Sequence, residues 1–461
     1  MLWFDTEDYI LPAADDAALR LAEFLSGEAV RATFKMVGEK ARVLESRGRR
    51  DVIEAIGRHE VGYHTDFHSM HPTPAEYLSG LGWDDGVAEF DRRERKGFED
   101  VRRIFGAAPS CYGQPGCSWG PQAYGAMREW GVGVYLDAGS HVDVDGRPCF
   151  YCRALNLLKL AHTIRTELEK PSDLAGAKER FRAARERLLA DGGGVVSVYY
   201  HPCEFVHREF WDAVNFARGA NPPRVRWELP RVKTPAAVET AFGNFEGFVR
   251  FVKSFPDTEF VTASEAAALY ADRASGRMFV REEVGGIAER VGEAVGFQVH
   301  DGYSLSASEV FAVLNEFASA GLDSSVVLKE TPLGPTGSLP RQAAPFTVDR
   351  HQFARTVFDV ADHLRRHGRI PSSVWLGSRP VPPEAFLRTL ARDVLNAVRG
   401  RPLSRKVQVK PARLEAAKYV ADDSPGLWGW KVFPPGFRAP AMMDLAKKQA
   451  WTLKPALLNQ S

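Results

Sequence analysis

The chain has 461 residues, which is too long for one ordinary hydrophobic core and predicts two or three domains. Its 60 Lys and Arg residues nearly balance its 59 Asp and Glu residues, and the formal net charge of +1 excludes the strong global field that recruits nucleic acid or an anionic membrane. A content of 44% hydrophobic and 26% charged residues is typical of a soluble globular protein.

Targeting signals and membrane spans are not visible in the sequence. The first residues, MLWFDTEDYILP, lack a basic stretch followed by a long apolar one, so we expect a cytoplasmic protein. The segment before Asp5 is short for a complete first strand, which would allow a start codon further upstream. This prediction of the localisation therefore stays open. No run of 18 apolar residues occurs, which argues against a membrane span, and five cysteines without an export signal argue against a disulfide framework.

Up to about residue 272, short apolar runs alternate with longer amphipathic segments. The apolar runs predict strands and are MLWF, RATFKMVG, HEVGYH, VGVYLD, VVSVYYHP and TEFVTA. Between them, segments such as AALRLAEFLS and GFEDVRRIFG show the 3.6-residue spacing of helices. Strand, helix and strand in repetition predict an α/β domain with a parallel sheet, and six or seven such units suit a closed or nearly closed β/α barrel.

Residues 273–461 show mainly helical patterns of apolar residues and predict a smaller, mostly helical α+β domain. The helical patterns are EEVGGIAERVGEAV, SASEVFAVLNEFASAG, DRHQFARTVFDVADHLRRHG and PPEAFLRTLARDVLNAVRG. A faint echo between SASEVF and VPPEAF suggests a weak two-unit repeat. Glycan binding, formation of a homo-oligomer and covering of the barrel mouth all stay open for this domain.

Polar side chains follow four of the predicted strands. They are Asp5, His64, Asp137 and His201. Because functional side chains lie at the carboxyl ends of strands in parallel α/β sheets, we expect these four to converge on one face of the barrel.

Histidines cluster in the segment VGYHTDFHSMHP. His64 and His68 stand four positions apart, so on a helical turn both rings would lie on one side and could bind one divalent cation. The acids of DTED can complete such a site, with Asp5 as the base and either Glu7 or Asp8 as the metal ligand. The alternative interpretation of DTED is an acidic cluster that caps the following helix.

The succession FDTED, ATFKMVG, HEVGYHTDFH, YGQPGCSWGPQ, WGVGVYLD and YYHP resembles the NodB-homology polysaccharide deacetylases, carbohydrate esterase family 4. The resemblance covers residues 1 to about 272 and implies an irregular β/α barrel with a divalent metal, most often zinc, held by one acid and two histidines. His64 and His68 match those histidines, Thr65 fills the hydroxyl position of their motif, and Asp5 matches the catalytic acid.

The resemblance also implies a general acid and a positively charged partner for the base. His201 in YYHP matches the general acid that protonates the leaving group. The arginine that orients the catalytic acid in the family is replaced by Gly113. We therefore expect another arginine, from among Arg92, Arg93 and Arg95, to reach the base, or the activity to be reduced.

Other residues of the same blocks are expected to support the reaction. The backbone near Gly116 or Cys117 can supply an N–H group to a developing oxyanion. Asp137 lies where the fourth block of the family falls, and its expected role is to support the site.

These residues imply a metal-dependent hydrolase that removes acetyl groups from an N-acetylated or O-acetylated sugar or polysaccharide, at C–N bonds other than peptide bonds. Asp5 would take a proton from water and His201 would protonate the leaving group. Two alternatives stay open. One is a small-molecule amidohydrolase on the same barrel, which the missing signal peptide favours. The other is a non-catalytic carbohydrate-binding or assembly protein, which Gly113 favours.

Overall fold

The computed structural model describes residues 1–322, 325–342 and 344–459, which form two compact units. The first unit contains residues 1–147, 156–270 and 422–442, and the second contains residues 148–155, 271–421 and 443 onward. The sequence predicted a single boundary near residue 272. The segment 422–442 instead folds with the first unit, because its Val432 is buried in a cluster with Tyr9 and Trp211.

A parallel sheet forms the centre of the first unit. Its strands are β1 (Leu2–Thr6), β2 (Thr33–Met36), β3 (Glu60–Tyr63), β4 (Cys111–Tyr112), β5 (Val134–Leu136), β6 (Ala154–Leu157), β7 (Thr163–Ile164) and β8 (Ser197–Tyr200). They follow the order β6-β5-β4-β3-β2-β1-β8-β7, and the pairs from β5 through β1 to β7 are parallel. The predicted α/β class is confirmed. In the described part of the chain β7 is an edge strand, so the barrel is not closed.

Helices alternate with these strands as the periodicity predicted. They are α1 (Pro12–Gly27), α2 (Gly38–Ser46), α3 (Arg50–Gly57), α4 (Pro74–Leu78), α5 (Trp83–Phe105), α6 (Ala123–Glu129), α7 (Asp173–Ala190), α8 (Trp211–Asn215), α9 (Pro235–Lys253) and α10 (Ala263–Leu269). On α5 the buried Phe90, Phe98 and Val101 form one apolar stripe. This helix ends at Gly106, whose φ of 72° lies in the left-handed region.

The strand predicted in TEFVTA is wrong. Its last residues begin α10, because the Thr262 side chain accepts a hydrogen bond from the Glu265 backbone N–H and the Glu265 carboxylate accepts one from Thr262 N–H. This reciprocal capping box stabilises a helix start more than the apolar run favours a strand.

The second unit contains the four predicted C-terminal helices. They are α11 (Arg281–Glu289), α12 (Ala307–Ser319), α13 (Arg350–His367) and α14 (Pro383–Val398). Three have bounds close to those expected, but the first ends at Glu289, and Ala294–Val295 at the end of its predicted range is a strand. A further helix, α15 (Pro440–Gln449), begins in the last residues of the first unit and continues into the second. Phe311, Phe353 and Phe386 from three of these helices are buried in one hydrophobic core.

Short strands complete the second unit. They are Cys149–Tyr151, Met278–Phe279, Ala294–Val295, Gln298–His300, Tyr303–Leu305, Val326–Val327, Phe346–Asp349, Val374–Leu376, Arg379–Val381, Lys406–Val409, Arg413–Leu414 and Lys454–Pro455. The same succession occurs twice: an antiparallel hairpin precedes α12, and another precedes α14.

Candidate metal centre

The structure brings together the polar residues at the ends of four strands. Asp5 lies within β1, His64 follows β3, Asp137 follows β5 and His201 follows β8. The Nε2 atoms of His64 and His201 each lie 3.6 Å from a carboxylate oxygen of Asp5. Parallel pairing of β1 with β8 carries Asp5 and His201 to the same edge of the sheet, as the strand pattern predicted.

Glu7, His64 and His68 form a buried group whose ligand atoms lie within 4.8 Å of one another. Glu7 Oε2 is 2.9 Å from His68 Nε2 and 3.7 Å from His64 Nε2. The two imidazole rings lie 5.0 Å apart, but they do not sit on a helical turn as the spacing predicted. They converge through a loop in which Thr65 and His68 adopt positive φ angles of 67° and 54°.

Glu7, His64 and His68 each have one polar atom that faces the others and a second polar atom that makes a hydrogen bond elsewhere. This second contact orients the side chain. His64 Nδ1 donates to the Gly113 carbonyl at 2.9 Å, which leaves Nε2 as an electron-pair donor. His68 Nδ1 lies 2.5 Å from Ser69 Oγ. The Trp211 indole N–H donates to Glu7 Oε1 at 3.1 Å, so that Glu7 Oε2 faces the imidazoles. Partners of this kind fix metal ligands in tautomer and direction.

The pairing of Glu7 with His68 fits a divalent cation. Within the described residues, His68 Nε2 makes no aligned hydrogen bond although it is buried and 2.9 Å from Glu7 Oε2. Burial lowers the pKa of His68, but the negative charges of Glu7, Asp212 and Asp5 together raise that pKa above its ordinary value. The same negative charge would favour a metal ion in place of the imidazole proton. Two imidazoles and one carboxylate form a donor set that suits zinc.

Asp8, the alternative ligand, turns away from this group. Its Oδ1 accepts hydrogen bonds from Ile10 N–H at 2.8 Å and Leu11 N–H at 3.2 Å, just before α1 begins. Its Oδ2 lies 3.1 Å from His207 Nε2. Asp8 therefore stabilises the turn that leads into α1. Of the two acids, only Glu7 faces His64 and His68.

Lys35 on β2 is the cation beside the base. Its ammonium group is fully buried and lies 2.8 Å from Asp5 Oδ1, 3.0 Å from Asp137 Oδ2 and 2.8 Å from the Leu136 carbonyl. A Cβ atom at Gly113 would lie 2.1 Å from Lys35 Nζ and 2.5 Å from the Leu136 carbonyl oxygen. Glycine at position 113 therefore leaves the space that the lysine occupies.

The expectation that an arginine of α5 reaches the base is wrong. Arg92 and Arg93 form ion pairs with Glu89, and Arg95 pairs with Asp91, all within the same helix. The two residues of each pair lie one helical turn apart on the surface of α5, so the charge of each arginine is compensated within that helix.

The charges around Asp5 keep it ionised. Burial would raise its pKa, but His64, Lys35 and His201 together lower it below the ordinary value. Burial raises the pKa of Asp137, against the opposing effect of Lys35. An ionised Asp5 with a fixed lysine beside it is able to accept a proton.

His201 lies among carboxylates. Burial would lower its pKa, but Glu7, Glu204 and Asp5 raise it above the ordinary value. The Glu204 carboxylate also accepts a hydrogen bond from the His201 backbone N–H at 2.9 Å, and the His201 ring packs edge-on against Phe210. A protonated imidazole in this position is able to donate a proton.

Three other predicted residues support the surrounding loops. Thr65 donates its hydroxyl hydrogen to the His64 carbonyl at 2.5 Å, and its own carbonyl accepts from Gly38 N–H. Gly116 has a φ of 52°, and a Cβ atom at this position would lie 2.4 Å from Trp430 Cδ2. Cys117 Sγ accepts a hydrogen bond from Trp430 N–H at 3.3 Å. The oxyanion role of Gly116 and Cys117 stays a prediction.

Asp212 and Trp430, which are distant in sequence from the histidines, complete the site, and the motifs did not identify them. Ser69 Oγ donates to Asp212 Oδ2 at 3.4 Å, which extends the hydrogen bonds from His68. The Trp430 indole N–H donates to the same Asp212 oxygen at 3.1 Å, and its ring lies 5.6 Å from that of His68. No local sequence pattern marks Asp212 or Trp430 as part of the site.

No protein-family model matches the chain, and no curated protein matches it. Solved structures are similar to it at low identity. A presumed polysaccharide deacetylase from Mycobacterium smegmatis is 15% identical, with 58% of this chain and 88% of that chain covered and a TM-score of 0.38. A family 4 carbohydrate esterase from Streptomyces lividans, solved with acetate, is 15% identical over 54% of this chain and 86% of that chain, with a TM-score of 0.28.

A further solved structure is a carbohydrate esterase family 4 pseudoenzyme from Bacillus anthracis. It is 14% identical, covers 44% of this chain and 53% of that chain, and has a TM-score of 0.25. No helix in the described ranges is long and apolar enough to cross a membrane.

Proposed function

We propose that the protein is a metal-dependent hydrolase that removes acetyl groups from an N-acetylated or O-acetylated sugar or polysaccharide. The observation that carries this proposal is the buried group of Glu7, His64 and His68 beside an ionised Asp5 and a cationic His201. A purely structural role does not require five buried titratable side chains at one sheet edge. The acetylated sugar as the substrate class comes from the resemblance of the sequence motifs.

The protein residues divide the chemistry between them. Glu7, His64 and His68 would hold the metal, for which we propose zinc, and the bound ion would act as a Lewis acid on the acetyl carbonyl. Asp5 would accept a proton from the attacking water. His201, whose Nε2 lies 3.6 Å from Asp5 Oδ2, would donate a proton to the departing amine or alkoxide.

Lys35 would position the base in this reaction. Its ammonium group contacts both Asp5 and Asp137, so it fixes the direction of the Asp5 carboxylate while the second acid offsets part of its charge. In this proposal Asp137 acts only through Lys35. The lysine takes the orienting position that the family resemblance assigned to an arginine.

Metal content tests the proposal first. Elemental analysis of the purified full chain should find about one equivalent of a divalent metal, and the His64→Ala, His68→Ala double variant should lose it. His71→Ala is the matched control, because His71 lies in the same histidine cluster but pairs with Glu76 at 2.8 Å. Absence of metal from the unmodified chain after reconstitution with zinc would refute the proposal.

Turnover tests the second step. Acetate release from acetylated chito-oligosaccharides should occur with the unmodified chain and be lost in Asp5→Asn, while that variant keeps its metal. Release of acetate from small amides alone would favour the small-molecule amidohydrolase. A metal-loaded chain without activity on either substrate class would favour the non-catalytic alternative.

A further inference from the structure

We propose that a pocket next to the metal centre binds the anionic group of an acidic sugar, an inference that rests on the proposed function and narrows its substrate class. The pocket has a volume of about 390 Å³ and lies in the first unit. We name it the loop pocket, and it is defined by Arg218, Trp428, Trp430, Lys431, Phe433 and Phe437.

The segment 422–442 shapes the loop pocket with aromatic rings. Phe433 and Phe437 stack with ring centroids 4.5 Å apart, and Trp428 meets Phe437 edge-on at 5.3 Å. Trp428 and Phe433 are buried, whereas Trp430 and Phe437 are partly exposed. The exposed parts of these two rings offer apolar surface, which suits the hydrophobic face of a sugar ring. The pocket therefore has walls for a saccharide.

Positive charge distinguishes the loop pocket. Arg218, Lys431 and Arg438 line it, and no acidic side chain does so among the described residues. Arg438 pairs with Asp423 at 2.9 Å. Arg218 and Lys431 are exposed and form no ion pair within the described part of the chain, so their charges are available to a ligand. Two unpaired cations beside aromatic walls favour a phosphate or carboxylate group on the sugar.

Backbone hydrogen bonds hold the two cations side by side. Arg218 N–H donates to the Lys431 carbonyl at 2.8 Å, and Gly219 N–H donates to the Val432 carbonyl at 2.9 Å. This pairing joins the loop after α8 to the segment that carries the tryptophans. The positions of the two charges are therefore set by the fold of the first unit.

Trp430 connects the loop pocket with the metal centre. It lines the pocket, while its indole N–H donates to Asp212 and its ring lies 5.6 Å from the ring of His68. A ligand that extends from one side of Trp430 to the other would place its acetyl group near Glu7 and its anionic group near Arg218. An acidic acetylated sugar has both groups.

Calorimetric titration of the full, metal-containing chain tests this inference. The probes are neutral N-acetylglucosamine, its 6-phosphate, and N-acetylmuramic acid, which carries a carboxylate. We expect the charged sugar that fits to bind about tenfold more tightly than the neutral one, with a preference that weakens in high salt. Comparison of the two charged probes shows whether phosphate or carboxylate is the recognised group.

The variant Arg218→Gln, Lys431→Gln should lose this preference and bind the neutral sugar unchanged. Arg50→Gln, Arg58→Gln is the matched control, because it removes two exposed charges at the first residue of α3 and just after its end, outside the pocket. Thermal unfolding of both variants checks that each is folded. Equal binding of charged and neutral sugars, or no binding of any probe, would overturn the inference. Failure of the proposed function would instead show as missing metal or missing acetate release.

Discussion

Replacement of Glu94 by glutamine should stabilise the first unit at alkaline pH and have little effect at acidic pH. Glu94 lies on α5 with only 5% of its surface exposed. Its carboxylate accepts hydrogen bonds from Tyr63 and Tyr77 hydroxyls at 2.9 and 3.1 Å and from Asp66 N–H at 2.7 Å. Burial and the negative charge of Asp66 raise the pKa of Glu94 to about 7, although the hydrogen bonds act in the opposite direction.

The magnitude follows from the difference between the folded and unfolded pKa values. The pKa of Glu94 is raised from 4.5 to about 7 in the folded state. The folded chain therefore binds more protons than the unfolded chain between these values, and its stability falls as the pH rises through this window. The loss is about 3 kcal/mol at pH 8, since each pKa unit corresponds to about 1.4 kcal/mol.

Glutamine resembles the protonated acid in shape and cannot ionise, so Glu94→Gln should remove this loss. Urea unfolding at pH 5 and pH 8, monitored by tryptophan fluorescence, measures the effect as the difference in midpoint between variant and unmodified chain. Glu99→Gln on the exposed side of the same helix is the control and should show no pH-dependent difference. An equal change at both pH values for Glu94→Gln would refute the reasoning, because it would show that ionisation is not responsible.

Three further substitutions test other parts of the structure. Lys35→Met should lower acetate release about a hundredfold while metal content stays unchanged, because the base loses its positioning cation; loss of the metal would contradict a positioning role. Gly113→Ala should lower the unfolding free energy by about 1–3 kcal/mol in urea titrations, since its Cβ would overlap Lys35 Nζ, and unchanged stability would contradict that packing. Lys454→Met should destabilise the second unit by about 3–5 kcal/mol in the same assay, because the fully buried Glu309 carboxylate, 2.7 Å from Lys454, would lose its partner. Normal stability of this variant would show that the ion pair between Lys454 and Glu309 does not stabilise the second unit.

The α/β class of the first unit and the residues at its strand ends follow from the amino-acid sequence alone. Alternation of apolar runs with amphipathic segments is a local signal, and parallel pairing then carries every strand end to one edge. Asp5, His64, Asp137 and His201 could be named for this reason before their distances were known. The four helices of the second unit were equally visible, because their 3.6-residue patterns are long.

Local sequence patterns did not distinguish the roles of adjacent acids, and they predicted the wrong element for one apolar run. Glu7 and Asp8 are adjacent acids, and only the turn before α1, which uses Asp8 as a hydrogen-bond acceptor, separates their roles. In TEFVTA the apolar run predicted a strand, but the capping interaction of Thr262 with Glu265 began a helix.

The distant residues that complete the site could be identified only from the folded chain. Lys35 lies on a different strand from Asp5 and Asp137, and its role follows from the sideways pairing of β1 with β2. Trp211 and Trp430 reach Glu7 and His68 across long sequence separations. Such contacts depend on packing between elements, and a sequence pattern records the spacing within one element but not which other elements lie against it.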